Sequence, residues 1–271
     1  MKIKCGITGH TGILGRRIIK KLPFKFIKFK GDVANKKQVI KWFQNNKVDI
    51  FLHFAAIVPT DVVKKNVAKA YKVNFTGTKN IVDEILKYNR IKWFFFSSSS
   101  HVYNFSNKKI SENFKISPKT IYGSTKVKAE NYIIRKLNNK MNYCIGRIFS
   151  FTGKGQSDKF VIPAIIKKFR SPKKEIKFMN LEHFRDFISL DDISNAIKYL
   201  YRNNCSGIFN IGTGKRTLLS NIAKYLSKKQ NKKIIIIKNN KKSSLIANNS
   251  KLKKTGWRPK LNIYHVLKEL I

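Results

Sequence analysis

The chain is poor in acid. Its 271 residues include 14 Asp and Glu against 58 Lys and Arg, a formal charge of +44. It is poor in cysteine too, with three, set far apart at Cys5, Cys144 and Cys205. Their odd number and wide separation argue against a disulfide framework, and no pair has metal-ligand spacing, so no metal is expected. Nowhere do about 18 consecutive apolar residues occur, so no transmembrane helix is expected. Met1-Lys2-Ile3 leads straight into a glycine-rich turn without an apolar leader, and the expectation is a reduced, cytoplasmic protein. Repeats and clean linkers are missing as well. The 42% hydrophobic content, with 20 Phe and 10 Tyr, excludes a disordered chain and is enough for a real core.

The surplus of positive charge asks for an anionic partner: nucleic acid, an acidic surface or a phosphorylated substrate. The basic residues are nevertheless scattered as pairs along the chain. The densest part, Lys228 to Lys254, is broken by Ile234-Ile235-Ile236-Ile237, which reads as a strand with solvated flanks. No specific nucleic acid is expected, and at most a weak association with anionic surfaces. A nucleotide-sensing or nucleic-acid-binding protein stays open as a reading from another class.

What is present is alternation. A short strand to Thr8 runs into Gly9-His10-Thr11-Gly12-Ile13-Leu14-Gly15 and a basic helix, Arg16 to Leu22. Glycines so spaced let the backbone approach a pyrophosphate at a helix N-terminus. Strands are expected at 24–30, 49–56, 91–97 and 142–148, with helices at about 35–46, 66–72, 77–88 and 122–137 between them. This pattern predicts an α/β fold with a doubly wound parallel sheet. Ligands bind beyond the carboxyl ends of such strands, where the glycine loop, Ala55-Ala56 and Ser97–Ser100 all fall. After Arg147 the alternation loosens. Residues 1–150 are expected to form a dinucleotide-binding, Rossmann-type unit to which 185–212 returns. Residues 151–184 and 213–271 would form a smaller, interleaved substrate-binding portion. Glu182 to Ile188 reads as an exposed turn entering a strand.

The apolar run Phe94-Phe95-Phe96 ends abruptly in Ser97-Ser98-Ser99-Ser100-His101, and Tyr122-Gly123-Ser124-Thr125-Lys126 follows after a loop. Tyr122 and Lys126 are four apart, so a helix places them on one face. An ammonium close to a phenol favours the phenolate, so the Tyr122 pKa is expected to fall towards neutrality.

Together these segments resemble the extended short-chain dehydrogenase/reductase family, in its nucleotide-sugar epimerase/dehydratase/reductase group. The resemblance extends through Gly31-Asp32-Val33, His53-Phe54-Ala55-Ala56, Val73-Asn74, Arg147-Ile148-Phe149, Arg185-Asp186-Phe187-Ile188, Asn210-Ile211-Gly212 and Gly256-Trp257-Arg258-Pro259, nearly the whole chain. It implies Tyr122 as acid/base, Lys126 on the nicotinamide ribose and Ser99 on the substrate oxygen. It places NAD(P) along Gly9, Thr11, Gly12, Ile13, Leu14, Gly15, Asp32, Val33, Phe54, Ala55, Ala56, Asn74 and Ser97. For the sugar nucleotide it implies Ser99, Ser100, His101, Tyr122, Ser150 and Arg185, and for the assembly a homodimer.

Three departures refine it. Ser150 stands where the family usually has Asn. Ser100-His101 replaces the acidic pair of the 4,6-dehydratases, which argues against dehydration and offers His101 as a second acid/base or a polar pocket residue. The segment between Gly15 and Asp32 is short, as though one strand–loop unit were trimmed, and Lys28 and Lys30 sit where an acid would read a ribose hydroxyl. Those lysines tilt the cofactor to NADP. The short form is most similar to the 4-keto-6-deoxy-sugar reductases, the dTDP-4-dehydrorhamnose-reductase-like branch. An NAD-dependent 4-epimerase is the alternative.

Overall fold

A computed structural model describes residues 2–58, 60–88, 90–237 and 242–271. The first half alternates as the pattern predicts: β1 (Lys4–Thr8), α1 (Ile13–Lys21), β2 (Lys25–Lys28), α2 (Lys36–Asn45), β3 (Ile50–His53), α3 (Thr60–Lys65), α4 (Val67–Tyr71), α5 (Gly77–Tyr88), β4 (Trp93–Ser99), α6 (Ile121–Leu137) and β5 (Asn142–Ile148). A π-helical turn, Lys72–Thr76, joins α4 to α5, and a 3₁₀ turn, Ser100–Val102, follows β4. The second half adds β6 (Ser150–Thr152), α7 (Val161–Phe169), β7 (Glu175–Met179), β8 (His183–Arg185), β9 (Phe187–Ser189), α8 (Leu190–Arg202) and β10 (Gly207–Ile211). It closes with β11 (Thr217–Leu218), α9 (Leu219–Gln230), β12 (Lys233–Ile237), β13 (Ser243–Leu245), α10 (Ser250–Lys253) and α11 (Ile263–Lys268).

Six strands form one parallel sheet in the order β10-β5-β4-β3-β1-β2. The order reverses at β1, and the crevice between the ends of β1 and β3 is where such a sheet takes its ligand. β4 shows why the apolar run is a central strand. Its Trp93 and Phe95 enter the core under α1 and α8, while Phe94 and Phe96 enter the core under α2, α5 and α6. All four are at most 1% exposed, so both faces of the strand are covered and no polar alternation survives in the sequence.

One expectation needs correction. Between Gly15 and Asp32 lie the rest of α1 and β2, a four-residue edge strand paired with β1. Residues 182–188 are not an exposed turn: β8 is the middle strand of a small sheet, β11-β8-β13, and β9 is buried. Its pairing partners lie dozens of residues away, so local pattern carried no trace of them. The tail is pinned by α8. Trp257 is fully buried and its Nε1–H donates to the Asp192 carbonyl (3.1 Å), while the Asp192 carboxylate accepts from the amides of Lys260 and Leu261 (2.9 and 3.0 Å). Among the described residues no helix is long and apolar enough to cross a membrane.

Candidate active site

The floor of the crevice is a hydrogen-bonded lock at the ends of β1 and β3. Thr8 Oγ1 lies 2.6 Å from His53 Nδ1 and accepts the amides of Phe54 and Ala55, both at 3.2 Å. His53 Nε2 lies 3.0 Å from Thr78 Oγ1, whose hydroxyl donates to the Asn74 carbonyl (2.7 Å). Burial, with the charge of Lys126, pushes His53 down to about 3, so its ring is neutral. Asn74 is turned inward by the π-helical turn. Its side chain clamps both backbone groups of Ile57 (2.7 and 3.0 Å) and donates to Thr125 Oγ1 on α6 (3.0 Å). The chain leaving β3 is thereby held against the glycine loop.

Two glycines of that loop leave no room for a side chain. Gly9 has φ +66°, and a Cβ there would lie 2.6 Å from both Ala55 N and Phe54 C. A Cβ on Gly15 would strike the Gly9 carbonyl oxygen. Gly12 caps α1 without any side-chain acceptor, leaving its first amides open at the positive end of the helix dipole. The His10 ring lies beside the Phe29 backbone, and its Nδ1 is buried without a partner. Burial and the charges of Lys28 and Lys30 hold its pKa below the ordinary value. A glycine cradle, open amides and an orphan polar atom fit a dinucleotide's phosphates. Asp32 is exposed and its carboxylate accepts the Ala34 amide (2.9 Å), while Val33 is buried and would meet any Cβ on Gly77 at 2.5 Å.

The four serines after β4 divide their work. The Ser97 carbonyl accepts from Lys126 Nζ (2.7 Å). Ser98 donates to Glu130. The Ser99 hydroxyl accepts the His101 amide at 3.2 Å and stands beside Tyr122, whose pKa it lowers. Ser100 is buried and opens the 3₁₀ turn. Helix α6 starts at the Thr120 cap, whose Oγ1 accepts the Gly123 amide (3.0 Å), and a Cβ on Gly123 would strike the His101 carbonyl. This close contact seats Tyr122 beside Ser99, with the His101 ring edge-on to it at 5.8 Å.

The electrostatics differ from the expectation that Lys126 pulls the Tyr122 pKa down. Tyr122 is 8% exposed, and burial drives its pKa well above the ordinary phenol value although Ser99 beside it acts to lower it. Lys126 is 2% exposed and is itself pushed down to about 7 by burial, offset by Glu130. The ammonium is turned onto the Ser97 carbonyl and the Phe96 face (4.6 Å) and not onto the phenol oxygen. Two groups removed from water each drift towards neutrality, so Tyr122 is a phenol here.

Beneath β4 lies a network that motif reading left out. Arg147 on β5 makes a buried ion pair with Glu130 (2.7 Å) and donates to Tyr103 Oη (2.8 Å) and the Glu112 carbonyl (3.0 Å). Tyr103 in turn donates to Asn210 Oδ1 (2.8 Å) on β10. The segments around Arg147, Tyr103 and Asn210 are thus one buried structure. Glu130 was findable: it stands one further helical turn beyond Tyr122 and Lys126.

Across the cleft, Arg185 ends β8. Its guanidinium donates to the Ser243 carbonyl (3.2 Å) and hydroxyl (3.0 Å) and lies over Phe105 (5.3 Å). No carboxylate pairs with it among the described residues, and burial lowers it to about 10. Burial, with the charge of Arg185, holds His101 below its ordinary pKa, so that ring is neutral at pH 7. Ser150, on β6, pairs in register with Phe187, two residues past Arg185. Among the described residues no cluster of His, Cys, Asp or Glu is able to hold a metal.

The model of the NAD dependent epimerase/dehydratase family matches residues 5–212. The GDP-6-deoxy-D-talose 4-dehydrogenase of Aggregatibacter actinomycetemcomitans is 29% identical over 224 residues, 76% of this chain and 75% of that one. The dTDP-4-dehydro-6-deoxyglucose reductase of Escherichia coli is 24% identical over 98% of this chain and 95% of its own. In fold, the chain is similar to RMD from Pseudomonas aeruginosa, solved with NADPH: TM-score 0.89, 19% identity, covering 98% of this chain and 97% of that one.

Proposed function

We propose, from the premise that this chain belongs to the NAD dependent epimerase/dehydratase family, that it reduces the 4-keto group of a nucleotide-activated 6-deoxy sugar. One placement carries the chemistry: Tyr122 is a buried phenol beside Ser99 and one helical turn from Lys126, and with its pKa raised by burial it holds a proton that it is able to give to a carbonyl oxygen. Gly9, Gly12 and Gly15 would hold the cofactor's diphosphate, and Lys126 its nicotinamide ribose. A bound nicotinamide supplies the hydride. Ser99 orients the ketone oxygen and Tyr122 delivers the proton to it. Arg185, a cation with no carboxylate partner among the described residues, suits the diphosphate of the sugar nucleotide. His101 lines the pocket as a neutral hydrogen-bonding group.

The test is to mix the protein with NADPH and 4-keto-6-deoxy nucleotide sugars and follow absorbance. Tightly copurified NAD with no net cofactor consumption would instead identify a 4-epimerase. Arg185→Ala is expected to raise the KM for the sugar nucleotide about 10–100-fold, the cost of losing hydrogen bonds to a charged group. Arg185→Lys should recover little of it, since one ammonium does not replace a planar fork. An unchanged KM would remove Arg185 from the site.

NADP is the cofactor favoured within this proposal. His10, Lys28 and Lys30 share one neighbourhood at the end of β2, and the orphan Nδ1 of His10 is an unused polar atom among them. Lys28→Glu with Lys30→Glu should raise the KM for NADPH about 10–100-fold and leave that for NADH within a few-fold. Equal effects on both would show that neither lysine reads the 2′-phosphate. A division of labour between residues 1–150 with 185–212 and the remainder belongs to the same proposal. It is supported by β10 joining the large sheet and by a separate apolar cluster around α7, β7, α9 and α11. So do a homodimer, which light scattering would test, and a cytoplasmic location, which cell fractionation would test.

A further inference from the structure

Tyr122, Lys126 and Glu130 follow one another at four-residue intervals on α6, so they share one line of the helix. All three are buried, Glu130 and Lys126 each 2% exposed. Lys126 has no ion pair among the described residues; its hydrogen bond goes to the Ser97 carbonyl and its other neighbours are the rings of Phe96 and Tyr122. A lysine so placed sheds its proton unless an anion stands close. The groups around it are the neutral His53 from β3, Tyr122 and Glu130 from α6, and Arg147 from β5 beyond Glu130. Tyr103 and Glu112 lie further along, where the Glu112 carboxylate accepts the Asn210 amide (2.8 Å). Of these, the carboxylate nearest in the fold is Glu130, one helical turn from Lys126 on α6 and buried with it, and it favours the ammonium.

We propose that Glu130 is a positioning residue for this reaction: its carboxylate keeps Lys126 an ammonium seated on the Ser97 carbonyl. Arg147 makes that carboxylate affordable in the core by bonding both oxygens, from Nε at 3.1 Å to each and from Nη2 at 2.7 Å to one. The Ser98 hydroxyl also donates to Glu130, between Ser97, whose carbonyl takes the lysine, and Ser99 beside Tyr122. One side chain therefore joins the charge on the helix to the strand that carries the serines. The role rests on the reductase reading only insofar as Lys126 matters to turnover; the protonation of Lys126 does not depend on it.

Glu130→Gln keeps the shape and the contact with Ser98 while removing the charge. In protein labelled at lysine Cε with ¹³C, with the Lys126 resonance assigned by Lys126→Met, Glu130→Gln should move the Lys126 titration to lower pH by at least about one unit. Glu130→Asp, which withdraws the carboxylate by one methylene, should move it less in the same direction, and it carries the test if Glu130→Gln does not fold. The alkaline limb of NADPH-dependent turnover should follow, because the active form carries the ammonium. A loss of thermal stability with an unmoved Lys126 titration in both variants would leave Glu130 a purely structural partner of Arg147 and overturn the proposal. If the wild type turns over no keto sugar, the reductase reading fails, and the lysine titration still decides the role of Glu130.

Discussion

Tyr122→Phe is expected to lower kcat/KM for a 4-keto sugar nucleotide about 10³-fold while leaving NADPH affinity within about twofold. The phenol oxygen is the one atom removed. Phenylalanine fills the same buried site, so the edge-on contact with His101 and the packing against α3 and α4 survive. Ser99 keeps the His101 amide as a partner. Lys126 keeps the Ser97 carbonyl, so the grip expected on the ribose is unaltered. Only proton delivery is lost. The raised pKa of Tyr122 keeps it a proton donor through neutral and alkaline pH. The ammonium of Lys126, in contrast, is present below about 7 and is lost as pH rises through it. A decline of turnover on the alkaline side therefore belongs to Lys126, not to Tyr122. Full turnover by Tyr122→Phe in a stopped-flow assay would end the mechanism.

The second large effect is expected at Gly9. Gly9→Ala forces a β-carbon to within 2.6 Å of two backbone atoms at the exit of β3, from a residue at φ +66°. Neither atom moves alone, because the Ala55 amide is held on Thr8 and the next loop is clamped by Asn74. The loop must shift, and the open amides of α1 shift with it. Dinucleotide affinity by fluorescence titration should fall at least about 100-fold, and the melting temperature by about 5–15 °C. Gly12→Ala is the control. Its φ is −69° and the nearest atom to a Cβ is 3.3 Å away, so folding should be little affected. Equal melting temperatures for the two variants would show that the cradle tolerates a side chain at Gly9.

How much of this was legible in the chain can be judged residue by residue. The double-sided burial of Trp93 to Phe96, the glycine spacing before α1 and the four-residue interval from Tyr122 to Lys126 are local patterns, and they indicated the α/β class and the strand ends on which the candidate site stands. Glu130 was within reach of the same spacing argument, one turn on, but only Arg147 in the neighbouring strand gives its burial a meaning. β8 was not legible at all. Its residues look polar and turn-like, and they become a central strand only because β11 and β13 flank them.

The sequence by itself determined which groups are available and in what order along the sheet they arrive. Tertiary structure decided their charge states. A phenol and an ammonium one turn apart would, in water, stabilise the phenolate. Enclosed by α3, α4 and β4, both lose solvation, and that loss outweighs their mutual attraction. Tyr122 is therefore held protonated, and Lys126 depends for its charge on Glu130.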